Sequence, residues 1–184
     1  MNPSLSMLAV VLGLLVAGAG SFGLAKPARW GDLARKFPRS LPWGYALMLL
    51  GTVWFILYVR QEQIADFEGL KPYLYALFIG TGIGACLFVQ DFLAVRGAAV
   101  VMLLLAKMMV DTARWADTEW RLVIITWAYV LAVAGMWFTI SPWRMRDLLE
   151  WGVANEMRIR IGSGLRLGFG LLVIILGLTV FRSA

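Results

Sequence analysis

Six apolar runs, at residues 5–25, 41–59, 72–90, 97–115, 122–140 and 165–181, constrain this chain more than anything else in it. At about 1.5 Å of rise per residue, a run of about 19 residues covers about 28 Å, close to the hydrocarbon thickness of a bilayer. No water is available at that depth, so each run must satisfy its own backbone N–H and C=O groups, and a helix is the form that does so. The polar stretches between them, such as 26–40, 60–71 and 143–160, are each too short to bury an independent core. Only 15% of the 184 residues are charged and 61% are hydrophobic, against about 25% charged in a soluble domain. The expected fold is an all-α integral membrane protein, one polytopic domain of about six transmembrane helices in three hairpins: 5–59, 71–115 and 122–181.

Charge sets the expected orientation. If the spans alternate, one face carries eleven basic residues, Lys26, Arg29, Arg35, Lys36, Arg39, Arg96, Arg144, Arg146, Arg158, Arg160 and Arg166. The other carries six, Arg60, Lys71, Lys107, Arg114, Arg121 and Arg182. The positive-inside rule places the richer face in the cytoplasm and both termini outside, in a cell (inner) membrane. The net charge of +6 thus follows topology and implies no nucleic acid partner. The first run has no Lys or Arg before it, and its positive charge follows it, which is the reverse of a cleaved signal peptide. It is read as a retained span.

The central stretch from Lys71 to Trp115 reads as a tight hairpin with Asp91 and Arg96 at its inner turn. Its second arm carries Lys107 and Asp111, about 16 and 22 Å up the helix from Arg96, which puts Lys107 near mid-bilayer. A charge at that depth is normally paired or faces a cavity, and residues four apart share one helix face. The simpler reading is a neutralised intrahelical pair; the sharper ones are a gate in an ion or proton path and a charge that docks another subunit. In the first arm, Gly80, Gly82 and Gly84 lie in GTGIGA. A phosphate-binding loop needs a strand before it and an aqueous surface, so these glycines are read as a helix-packing face, like Gly164, Gly168 and Gly170 in the last run.

Two basic segments follow the first and fifth runs. Residues 28–37 combine Trp30, Leu33 and Phe37 with Arg29, Arg35 and Lys36, and residues 143–160 combine Trp143, Leu148, Trp151 and Ile159 with Arg144 and Arg146. Both read as amphipathic cytoplasmic helices lying at the interface, with the cations on lipid headgroups or in the cytoplasm. At an offset of 115 positions, Ala17, Ala19, Gly20, Pro27, Arg29, Asp32 and Leu33 coincide with Ala132, Ala134, Gly135, Pro142, Arg144, Asp147 and Leu148. With four spans between the copies, the pattern predicts a parallel internal repeat relating the first and last hairpins.

No histidine is present, which removes the commonest metal ligand and general base. Cys86 stands alone inside an apolar run, so no disulfide forms within the chain and the thiol is read as a packed side chain. Glu62, Asp66 and Glu68 lack the ligand density of a calcium loop and read as a solvated linker. Nothing here has the spacing of a nucleophile and its base, so neither catalysis nor a cofactor or metal is expected. The leading expectation is a noncatalytic membrane subunit or scaffold, in contact with lipid and assembling with itself or with larger membrane proteins. The alternative is a small transporter or channel whose path is gated by Lys107 and Asp111.

Overall fold

The computed structural model describes residues 4–61 and 69–182. The linker carrying Glu62, Asp66 and Glu68 lies outside the described residues. Those described form eight α-helices: α1 (Leu5–Ala25), α2 (Pro27–Lys36), α3 (Leu41–Gln61), α4 (Lys71–Phe88), α5 (Leu93–Ala113), α6 (Arg121–Ile140), α7 (Pro142–Gly152) and α8 (Glu156–Leu178). Short 3₁₀ turns occupy Phe37–Arg39 and Val180–Arg182, and there is no strand among the described residues. Six of the helices, α1, α3, α4, α5, α6 and α8, are long and apolar enough to cross a membrane.

Local chemistry sets the boundaries. Ser4 caps α1, its Oγ accepting the Met7 N–H at 3.3 Å, which satisfies one of the amides the first turn leaves free. Pro27 and Pro142 open α2 and α7 at the position where a missing N–H costs nothing, each separated by one residue from the end of the long apolar helix before it. Two boundaries differ from the sequence reading. The last span was expected from residue 165, but α8 begins at Glu156, because the Asn155 side chain accepts the Arg158 N–H at 2.8 Å and starts a helix there. Residues 156–160 therefore belong to the long helix, and Ile159, expected to face the membrane, is buried against Gly31. The second arm of the central hairpin was expected from Gly97, but α5 begins at Leu93. Phe92 takes φ = +54°, a left-handed conformation that turns the chain early, and its carbonyl accepts the Val95 and Arg96 N–H groups at 3.0 Å.

The chain forms two compact units. The first takes in α1, α2, the end of α5 from Leu105, the start of α6 to Ala132, and the chain from Arg146 through α8. Its core joins Leu8, Leu12, Met109, Ile124, Ala128, Val173 and Leu176, with Trp127 edge-on to Phe169 at 5.1 Å. Helices α1 and α8 run antiparallel in close contact. Ser6, Gly13 and Gly20 recur every seven residues on α1, and Ser163, Gly170 and Gly177 do the same on α8. That is the period at which two helices keep one seam facing the other. Backbone approach is so close that a Cβ built on Gly170 would stand 2.5 Å from the Ala17 amide nitrogen, and one on Gly20 would stand 2.6 Å from that of Leu167. The Ser6 hydroxyl closes one end by donating to the Gly177 carbonyl at 2.6 Å.

At the other end of this seam Ser163 is 0% exposed, lies against Gly23, and its hydroxyl has no hydrogen-bond partner. A buried hydroxyl of that kind contributes volume but not a bond. Ser163→Ala should therefore leave stability unchanged or raise it by up to about 1 kcal/mol. Equilibrium unfolding in mixed micelles measures this, and a clear loss would mean that the hydroxyl is bonded in the folded protein.

The second unit takes in α3, α4, α5 up to Leu104 and the segment Val133–Met145. Small residues again set its spacing: Gly44 receives Leu93, Gly51 receives Val100, Gly97 receives Leu47, and Gly135 receives Leu103. Helix α4 meets α3 through Gly82 against Thr52 and through Phe78 against Phe55, whose ring centroids are 4.2 Å apart. Cys86 is buried there beside Met48 and Leu93. The hydroxyls of Thr52, Thr81 and Thr139 each donate to the carbonyl four residues back at 2.8 Å, so none is left unbonded in an apolar setting.

Candidate functional site

Helix α5 positions the charge pair. Lys107 Nζ donates to Asp111 Oδ2 at 2.7 Å, one turn apart on one face of the helix, with the side chains 45% and 31% exposed. Because α5 begins at Leu93, Lys107 lies about 21 Å along a helix of about 31 Å, about 5 Å past its middle and about 10 Å from its C-terminal end. That end is closed by Arg121, whose guanidinium donates to the Arg114 and Ala116 carbonyls at 3.3 and 2.9 Å. The pair is thus a local bridge at a helix surface, with Asp111 in the last turn of α5 and the lysine side chain extended toward it.

Asp91 and Arg96 lie at the α4–α5 connection but are not joined by an ion pair. Backbone hydrogen bonds hold that turn, and the Arg96 Nε is buried without a hydrogen-bond partner. The expected glycine faces divide. Gly82 packs on Thr52 and Gly170 on Gly13 and Ala17, whereas a Cβ on Gly80, Gly84, Gly164 or Gly168 would meet no neighbouring atom within 4 Å.

Cations gather where α2, the end of α7 and the start of α8 meet in the first unit. Arg35 donates to the Val153 carbonyl at 2.9 Å and lies 3.9 Å from Asp32. Arg146 bonds Asp147 through Nη2 at 2.8 Å and Nε at 3.1 Å; this hydrogen bond and the nearby carboxylate charges keep its guanidinium above its ordinary pKa. Arg160 takes Glu156 at 2.7 Å. Arg29 and Lys36 are exposed, and Arg144, which belongs to the second unit, is exposed as well. One groove of this region is lined by Lys26, Arg29 and Arg35 together with Asp32 and Glu156, a mixture of signs. A second has no carboxylate in its lining and two guanidiniums, those of Arg158 and Arg166. The sequence marks those two arginines only as part of the basic face of the membrane. Trp30 and Trp151, which stack on them, were read only as membrane-facing aromatics, since the loop between α7 and α8 is what brings the four together.

Among the described residues no group of three His, Cys, Asp or Glu side chains is placed to hold a metal ion. The chain matches no protein family, no curated protein and no solved structure.

Proposed function

We propose that this chain is a noncatalytic multi-pass membrane subunit that assembles, with itself or with larger membrane proteins, through one side of α4. The observation that carries this reading is a seam on α4 that its own unit leaves uncovered. Phe78, Gly82 and Cys86 face α3. On the opposite side Tyr73, Leu77, Gly80, Gly84 and Leu87 recur at alternating steps of four and three, and the large members are exposed. Small residues at the centre of such a seam let a second helix backbone approach, which matters where lipid provides no hydrophobic drive between helices. Helix α4 is also the least buried of the six spans. Helix α8 carries a similar outer row in Ile161, Gly164, Gly168 and Ile175.

The rest of the reading concerns placement in the membrane. The basic ends of α1, α2 and α8 face the cytoplasm, both termini lie outside in a cell membrane, and the spans descend from three hairpins of which the first and last are parallel copies. Support comes from the charge asymmetry and from Pro27 and Pro142 opening α2 and α7 in the same way after α1 and α6. In this arrangement α2 and α7 lie at the interface, with Leu33, Trp143, Leu148 and Trp151 exposed to acyl chains.

The test is stoichiometry in lipid nanodiscs excised from native membranes. The wild-type chain is expected in an assembly larger than a monomer. Gly80→Leu with Gly84→Leu should reduce it to the monomer while its unfolding free energy changes by less than about 1 kcal/mol, because neither new side chain meets a neighbour within its own chain. A wild-type chain that is monomeric and free of copurifying proteins would end the proposal.

A further inference from the structure

The groove bounded by α2, α7 and the first three turns of α8 has a volume of about 460 Å³ and combines two properties that rarely coincide. Its walls are apolar, with Leu148 and Leu149 from α7 and Ile161 and Leu165 from α8. Its charge is wholly positive. The Arg158 guanidinium lies 4.9 Å above the Trp151 ring and donates to the Trp151 carbonyl at 3.1 Å; the Arg166 guanidinium lies 5.4 Å from the Trp30 ring. Stacking on an indole orients a guanidinium and leaves its N–H edge free to donate.

The nearby carboxylates are engaged elsewhere. Glu156 bonds Arg160, Asp147 and Glu150 lie against Arg146, and Asp32 faces Arg35. Arg158 and Arg166 therefore have no carboxylate partner among the described residues. Arg166 is also about 15 Å along α8 from Glu156, at the start of the apolar run 165–181. A cation at such a depth calls for an anion that can itself enter the interface.

We infer that this groove is a binding site for one anionic phospholipid, with the phosphodiester held between Arg158 and Arg166 and the acyl chains along Leu148, Ile161 and Leu165. A phosphate presents the planar guanidinium with the paired acceptors it matches best. The adjoining groove, with Asp32 and Glu156 in its lining, lacks that charge complementarity. The inference does not depend on the assembly proposed for α4.

Native mass spectrometry of the full chain in neutral detergent, titrated with phosphatidylglycerol and with phosphatidylcholine of the same acyl chains, tests it. The wild-type chain should prefer the anionic lipid by about tenfold, as two interfacial arginines allow. Arg158→Gln with Arg166→Gln should reduce that preference to less than about twofold. Gly162→Phe keeps both charges and fills the groove, and a Cβ there meets no neighbour within 4 Å, so this variant should fold and still lose bound lipid. An unchanged preference in the double variant, or full lipid occupancy in Gly162→Phe, overturns the site. Equal displacement by free glycerol phosphate also overturns it, by showing a site for a soluble anion.

Discussion

Gly170→Ala should destabilise the protein, while Gly168→Ala, two residues away on the same helix, should not. Alanine in a helix interior is worth about 1 kcal/mol over glycine from backbone entropy, and that gain applies to both. At Gly168 nothing opposes it, since the new methyl meets no neighbour within 4 Å. At Gly170 the methyl would stand 2.5 Å from the Ala17 nitrogen and 2.8 Å from the Gly13 oxygen, both backbone atoms that cannot rotate away. Relief requires α1 and α8 to separate, which opens contacts along a seam running from Ser6 and Gly177 to Gly23 and Ser163. Overpacking of this kind costs about 1–3 kcal/mol or more, so the clash outweighs the propensity gain, and Gly170→Leu should cost at least about 3 kcal/mol. Steric trapping in bicelles gives the unfolding free energies. A Gly170→Ala chain as stable as Gly168→Ala would mean that the two helices do not meet at this distance.

This seam also shows what the sequence could and could not disclose. Hydropathy located the spans because an apolar run of bilayer length leaves few other folds open, and α1 ends where its run ends. Boundaries were harder wherever charge or an unusual backbone intervened. The MRIR stretch looks interfacial by composition, yet Asn155 caps it into α8, and the Asn-Glu pair at its start was the available signal. The early start of α5 depends on Phe92 at positive φ, a conformation that its residue type does not advertise. Helix partners were less legible still. Glycines at 164, 168 and 170 have the same hydropathy, but one turn of α8 directs Gly170 onto α1 and leaves Gly164 and Gly168 open, a difference decided by long-range packing. The grouping of Arg158 and Arg166 with Trp30 and Trp151 has the same origin, since it depends on where the loop after α7 returns the chain.

Asp111→Ala should cost about 2 kcal/mol or more, whereas Lys107→Ala with Asp111→Ala should cost less than about 1 kcal/mol. The single substitution leaves the Lys107 ammonium without the carboxylate it bonds at 2.7 Å, on a helix long and apolar enough to cross a membrane. Insertion scales put a Lys at about 2.5–3.5 kcal/mol at a helix centre, and less near an end, where the side chain reaches the interface. Lys107 lies about 5 Å past the middle of α5, and its long side chain reaches toward the end of the helix, so the lower part of that range applies. Removing both charges leaves apolar side chains in an apolar setting, with little to compensate. A coupling of about 1 kcal/mol or more between the two positions is therefore the signature of a structural pair. The transporter reading makes a different demand on the same variants: proteoliposomes of the wild-type chain should carry ion or proton flux, and each single substitution should abolish it in a folded protein. Strong energetic coupling with no wild-type flux assigns the pair to the fold of α5. Flux lost in each variant, with stability intact, would instead make Lys107 and Asp111 the gate.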